Sequence, residues 1–135
     1  MCIRDSAGVI DRPADLAGDT ATSEAALLHA LDVLAAEGVE PEVLVFLQAT
    51  SPFIESGPLS RAVQRVLDGA ADSVLAAFET YAFLWRRSAA GATGVNHDAS
   101  SRPRRQDREP HFQETGAFYV PVSYTHLTLP TILRV

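Results

Sequence analysis

The chain has 135 residues, 47% of them hydrophobic and 21% charged, with a formal net charge of -6. That length suits one domain with a modest core, and the composition is that of a globular rather than a disordered chain. The acidic balance argues against broad nucleic-acid binding, the single cysteine excludes an intrachain disulfide or a cysteine-rich metal site, and no apolar run reaches membrane-spanning length.

The start lacks the basic-then-apolar pattern of a signal peptide, so a cytoplasmic protein is expected. Residues 1–6, MCIRDS, and 122–135, VSYTHLTLPTILRV, read differently from the rest. In the tail, Thr125, Thr128 and Thr131 surround single apolar residues, Pro130 interrupts, and neither helical nor strand period emerges. Both pieces resemble peptides made when sequencing-adaptor DNA is translated at the edge of a reading frame. The expectation is therefore non-native ends around a partial domain at residues 7–120, with no function for Cys2. A short native edge strand at Val122–Leu129 is the alternative.

Ala7–Ile10 reads as the stub of a strand, followed by Asp11-Arg12-Pro13. From Ser23 a helical pattern begins, with Leu27, Leu28, Leu31 and Leu34 recurring at three- and four-residue spacings. Thr22 or Ser23 is the expected N-cap, Glu24 suits the helix dipole, Gly38 is the natural C′ residue, and Pro41 blocks continuation. Asp19–Ser23 offers groups that fit either plain capping or a bound base.

Val43–Leu47 is an apolar run that breaks into Gln48, Ala49, Thr50, Ser51 and Pro52. The run is too short for a helix and predicts a strand buried on both faces, as in a parallel sheet. Its polar break falls at the strand's carboxyl end, where open α/β sheets place their ligand crevice. The Gln48 amide both donates and accepts, and Thr50 and Ser51 add hydroxyls. Such groups suit a sugar or a base, or a simple turn.

Gly57-Pro58 opens a second helix, roughly Leu59–Leu67, with Ala62, Val63, Val66 and Leu67 as its stripe and Gly69 at its end. Val74–Phe78 is the next strand. The order strand, helix, strand predicts an α/β fold with a mostly parallel sheet. Tyr81, Phe83 and Trp85 alternate as in a strand, and Ala89–Gly94 reads as a hairpin tip or mobile loop. Asn96, His97 and Asp98 are too few and too adjacent for a metal site, so a solvated loop is expected. His29 lies within the first helix and reads as a partly buried helix residue, not a general base.

Arg102, Arg104, Arg105 and Arg108 concentrate positive charge in an acidic chain. A phosphate or carboxylate site, an RNA contact and a solvated charge run all fit, since Arg presents a rigid fork of donors. Glu114-Thr115-Gly116-Ala117 leads into a strand at Phe118–Val120. Gly116 is expected where backbone approaches a ligand or a neighbouring strand.

Several of these blocks, in this order, resemble the acylneuraminate cytidylyltransferases. They are Arg12-Pro13, Leu16-Ala17, Asp19-Thr20 and Ser23, then Leu47-Gln48-Ala49-Thr50-Ser51-Pro52, Asp72-Ser73-Val74 and Phe83-Leu84-Trp85. The most telling are Arg102-Pro103-Arg104-Arg105-Gln106-Asp107 and Glu114-Thr115-Gly116-Ala117-Phe118-Tyr119. The resemblance implies a Rossmann-like nucleotidyltransferase that moves CMP from CTP to N-acylneuraminate, a sialic acid, and releases pyrophosphate. It also implies Mg2+ and a homo-oligomer, with no nucleic-acid or membrane partner. A cytidylyltransferase for another nonulosonic acid or for 3-deoxy-manno-octulosonate is the near alternative, and a small RNA-binding module the distant one.

Carried over residue by residue, the resemblance implies that Arg12 lies near cytidine and phosphates and that Asp19 and Ser23 line the cytosine pocket. It implies that Gln48 contacts the sugar acid, and that Arg102, Arg105 and Gln106 serve the acceptor side and the subunit contact. Glu114 and Gly116 fall where the family often has Glu-Asn-Gly, with Thr115 in place of the Asn. The family's triphosphate loop, Pro-Ala-Arg-Gly-Gly-Ser-Lys, has no match here, nor have its late Mg2+-binding aspartates. No catalytic or metal residue is therefore assigned, and this stretch alone is expected to be inactive.

Overall fold

The computed structural model describes residues 7–122. Cys2 and the tail beyond Val122, including most of the alternative edge strand, lie outside the described residues. The regular elements are α1 (Ser23–Ala36), β1 (Phe46–Leu47), α2 (Ser56–Leu67), β2 (Ser73–Thr80), β3 (Trp85–Ser88), β4 (Gly91–Gly94) and β5 (His111–Pro121), with short 3-10 turns at Ala14–Leu16 and Arg105–Asp107.

Both helices begin and end for local reasons. Thr22 caps α1, its hydroxyl accepting from the Ala25 N–H at 3.2 Å. After α1, Gly38 takes φ 79°, Gly38 N donates to Ala35 O, and Val39 N donates to Leu34 O. After α2 the pattern repeats: Gly69 takes φ 67°, its N–H donates to Val66 O, and Ala70 N donates to Arg65 O. These are two Schellman endings, each of which uses a glycine to turn the chain and to satisfy last-turn carbonyls. Pro58 sits in the first turn of α2, where its missing N–H would have found no intrahelical partner.

The sheet corrects the expected topology. Its order is β1-β5-β2, and β5 pairs antiparallel with both neighbours. The mostly parallel, Rossmann-like sheet is overturned by this pairing. Because β1 and β2 each oppose β5, they run in the same direction, as the strand-helix-strand order implies. They are not neighbours, however, since β5 is inserted between them. A second, two-stranded antiparallel sheet joins β3 and β4. An apolar run reports burial, and the direction of its neighbour is not encoded in that run.

The strand at 43–47 is also shorter and more open than the run predicts. Only Phe46 and Leu47 form a ladder with β5, while Val43 makes a single bridge to Val122. Val45 and Leu47 are exposed. The cause is one-sided cover: α2 packs on one face of the sheet, and the core is Ala62 and Val66 from α2 with Phe118 and Val120 from β5. Val43, Ile54, Leu59, Val63, Val74, Ala76, Ala117 and Val122 close around it. Leu67 falls off the apolar stripe and is exposed. Between Phe118 and Val120, Tyr119 points the other way and stacks on Phe46 at 6.2 Å.

α1 behaves differently. None of its residues is buried, and it makes no extensive contact with either sheet. His29 Nε2 lies 3.2 Å from Asp11 O, which ties the preceding segment back onto the helix. No helix among the described residues is long and apolar enough to cross a membrane.

Candidate functional site

The site is built on an irregularity in β5. Leu75 pairs with Tyr119, but Ala77 pairs with Glu114, so Ala76 alone faces residues 115–118. This bulge contains Gly116 at φ 71°, a left-handed conformation that favours glycine. Across from it, at the carboxyl end of β1, Gln48 N donates to Ala117 O at 3.3 Å. The Gln48 side chain lies over Gly116 so closely that a Cβ there would stand 3.2 Å from Oε1. Gly116 thus fulfils the expectation of a close approach, and the approaching neighbour is Gln48.

The Gln48 amide is partly buried and has no hydrogen-bond partner among the described residues. Nearby in β5, the Tyr119 hydroxyl donates to Glu114 Oε2 at 3.1 Å. Burial first, and then the Glu114 carboxylate, hold the Tyr119 phenol above its usual ionisation range. The Thr115 hydroxyl donates to Ala76 O and accepts from Ala117 N–H, each at 3.2 Å.

The remaining candidates form two further groups. Arg102 and Arg105 do not stand free: the Arg102 guanidinium lies 4.8 Å from the centre of the Phe83 ring, and that of Arg105 lies 4.5 Å from Tyr81. Arg108 covers Phe83 at 3.8 Å and donates to Tyr81 O. Cations over ring faces are attracted by the ring quadrupole. Gln106 is exposed in the 3-10 turn beside them. Arg104 makes a 2.8 Å ion pair with Asp107 on the surface.

His97 departs from the solvated loop expected for it. It is partly buried, with its ring edge-to-face against Phe83 at 4.6 Å and Trp85 at 4.7 Å. Asn96 fixes that corner by accepting from Leu84 N–H and donating to Ala82 O, both at 2.9 Å. Asp98 is exposed as expected, and the Ser100 hydroxyl and N–H hold its carboxyl below the usual range. An open cleft of about 420 Å³ lies alongside, lined by residues that include His97, Asp98, Arg108 and His111.

Arg12, Asp19 and Ser23 make the third group, exposed at the approach to α1. No described contact joins them to Gln48 or Gly116. The structure therefore brings Gln48 against Gly116, with Glu114 two residues away on the same strand and bonded to Tyr119, and gathers Arg102, Arg105 and Gln106 separately; no described contact joins either set to the α1 group. Sequence reasoning missed Arg108 and Tyr119 as organising residues. The signal for Arg108 was the pair Tyr81 and Phe83, whose ring faces need cover once the segment is not a strand.

Among the described residues no group of three or more His, Cys, Asp or Glu converges as a metal ligand set. The Mg2+ implied by the resemblance is assigned no ligand among the described residues, and no step is derived through it.

Two similar proteins are named as cytidylyltransferases. One is the N-acylneuraminate cytidylyltransferase of Oncorhynchus mykiss, 31% identical over 94 residues, covering 67% of this chain and 21% of that protein. Another is the N-acylneuraminate cytidylyltransferase A of Danio rerio, 32% identical over 84 residues, covering 59% of this chain and 20% of that protein. These relatives bear out the resemblance to the acylneuraminate cytidylyltransferase family that the residue blocks carry. The chain spans about a fifth of the length of the curated relatives it matches. No protein-family model matches the chain.

Proposed function

We propose that this chain is the acceptor-side part of a nucleotidyltransferase that moves CMP from CTP to N-acylneuraminate with release of pyrophosphate. The observation that carries the reading is the partly buried Gln48 amide at the end of β1, seated on the Gly116 bulge and without a hydrogen-bond partner among the described residues. A neutral amide at a strand end binds a sugar acid through both of its functions. Nε2 donates to a carboxylate or ring hydroxyl, and Oε1 accepts from a neighbouring hydroxyl. Glu114, steadied by Tyr119, adds an acceptor for sugar hydroxyls.

In the reaction, the anomeric hydroxyl of the acid attacks the α-phosphorus of CTP. An oxygen–phosphorus bond forms in line as the bond to pyrophosphate breaks, and the hydroxyl proton is released. This part of the protein contributes positioning: holding the acid fixed turns the encounter into an effectively unimolecular step. The part that holds CTP, the Mg2+ requirement and assembly into a homo-oligomer belong to the same proposal. Arg12, Asp19 and Ser23 are its nucleotide-side candidates.

An RNA-binding module is disfavoured by the same geometry. The ring faces that would stack bases, on Tyr81 and Phe83, are covered by Arg102, Arg105 and Arg108. Saturation-transfer NMR on the 135-residue chain tests the assignment with N-acetylneuraminate, legionaminic acid, pseudaminic acid and 3-deoxy-manno-octulosonate. Transfer to N-acetylneuraminate that disappears in Gln48→Ala is expected. Strict preference for another acid would reject the sialic acid assignment, and binding that survives Gln48→Ala would remove the residue's role.

A further inference from the structure

We propose that Thr115 is a positioning residue: its hydroxyl clasps the β5 bulge and, through Gly116 and Ala117, sets where the Gln48 amide stands. This rests on the reading of Gln48 as the sugar-acid contact. The proton of the Thr115 hydroxyl goes to Ala76 O on β2, and its oxygen accepts from Ala117 N–H. The hydroxyl's one proton and one of its two lone pairs are therefore engaged in bridging β2 to the bulge, although Thr115 itself is exposed.

The clasp is needed because of the count of residues on each strand. With Ala76 alone facing residues 115–118, the regular ladder is interrupted and backbone groups lose their strand partners. One hydroxyl repairs a carbonyl on β2 and an N–H on β5 at once. Ala117, whose N–H it fixes, uses its carbonyl to accept from Gln48 N. Gly116, between the two, supplies the surface against which Gln48 Oε1 and Cδ lie, 3.2 and 3.7 Å from where a Cβ would stand. A continuous path thus runs from Ala76 through Thr115 and Ala117 to Gln48. Without the hydroxyl, Ala76 O and Ala117 N–H turn to water, the bulge relaxes, and the amide loses its set position.

The test uses isotope-labelled 135-residue chain with Thr115→Val, which keeps the shape without the hydroxyl, and Thr115→Ser, which restores it. Two readouts are taken: the side-chain amide resonances of Gln48 without ligand, and the dissociation constant for N-acetylneuraminate. Thr115→Val is expected to move the Gln48 resonances while leaving those of Ala62 and Val66 in place, and to weaken the acid about tenfold. Thr115→Ser is expected to return both to wild type. Unmoved Gln48 resonances in Thr115→Val, or failure of serine to restore them, would overturn the proposal. Should the valine variant not fold, Thr115→Ala decides: it also lacks the hydroxyl, so unmoved Gln48 resonances there also overturn the positioning path. The resonances are read without ligand. Absence of acid binding to the wild-type chain therefore counts against the functional reading alone.

Discussion

The α2-covered sheet and the β3–β4 hairpin with its arginines are held together in different ways. On the sheet, apolar packing of Ala62, Val66, Phe118 and Val120 carries the structure, and the Gln48 amide at the strand end has no hydrogen-bond partner among the described residues. Around the hairpin, Arg102, Arg105 and Arg108 are drawn over Tyr81 and Phe83, and both amide functions of Asn96 bond to backbone. The hairpin side still keeps two buried polar atoms without a partner among the described residues, His97 Nε2 and Arg108 Nη2, so its rings and backbone engage most, not all, of its polar groups.

The sharpest way to break the comparison is to empty each side in turn. Phe118→Ala should cost about 3–5 kcal/mol, since a buried ring is removed from a small core that cannot refill the space. Urea denaturation would show it as a large loss of midpoint, and a shift no larger than that of a surface variant would deny the core its role. Phe83→Ala should cost less, about 1–2 kcal/mol, because it removes a partly buried ring and the platform of two guanidinium groups and His97. Hydrogen exchange should quicken through β3 and β4 while the Gln48 amide keeps its resonance. Movement of both would mean that the two regions are not independent.

A smaller effect concerns Tyr119. Burial and Glu114 raise its folded ionisation above the ordinary value near 10. A phenol whose folded pKa lies above its unfolded one contributes its stability in full below about pH 10, and that contribution is lost as pH rises through the folded value. Urea midpoints measured from pH 9 upward should fall more steeply for wild type than for Tyr119→Phe; parallel curves would contradict the coupling. Smallest of all, Arg104→Ala should change stability by only about 0.2–1 kcal/mol, and by less in high salt, because its pair with Asp107 is exposed.

What the sequence made legible follows from how local each determinant is. The Thr22 cap, the Gly38 and Gly69 endings and Pro58 at a helix start each depend on a few adjacent residues, and each is found where the pattern predicts. The pairing of β5 between β1 and β2 depends on residues far apart in the chain, so Val43–Leu47 announced a strand but not its antiparallel neighbour. The residue pattern singles out Gln48 and Gly116, and the resemblance does so again, yet their contact depends on the bulge opposite Ala76, which is not local to either. Alternation of Tyr81, Phe83 and Trp85 suggested one strand, whereas β3 begins only at Trp85 and the first two rings serve as platforms for arginine.

Titration of labelled 135-residue chain with N-acetylneuraminate tests the central claim most directly, because every amide reports at once. The account predicts shifts concentrated at Gln48, Gly116 and Ala117, abolished by Gln48→Ala and retained in Arg105→Ala. Shifts concentrated instead at Tyr81, Phe83 and Arg102–Arg108, and unaffected by Gln48→Ala, would contradict it.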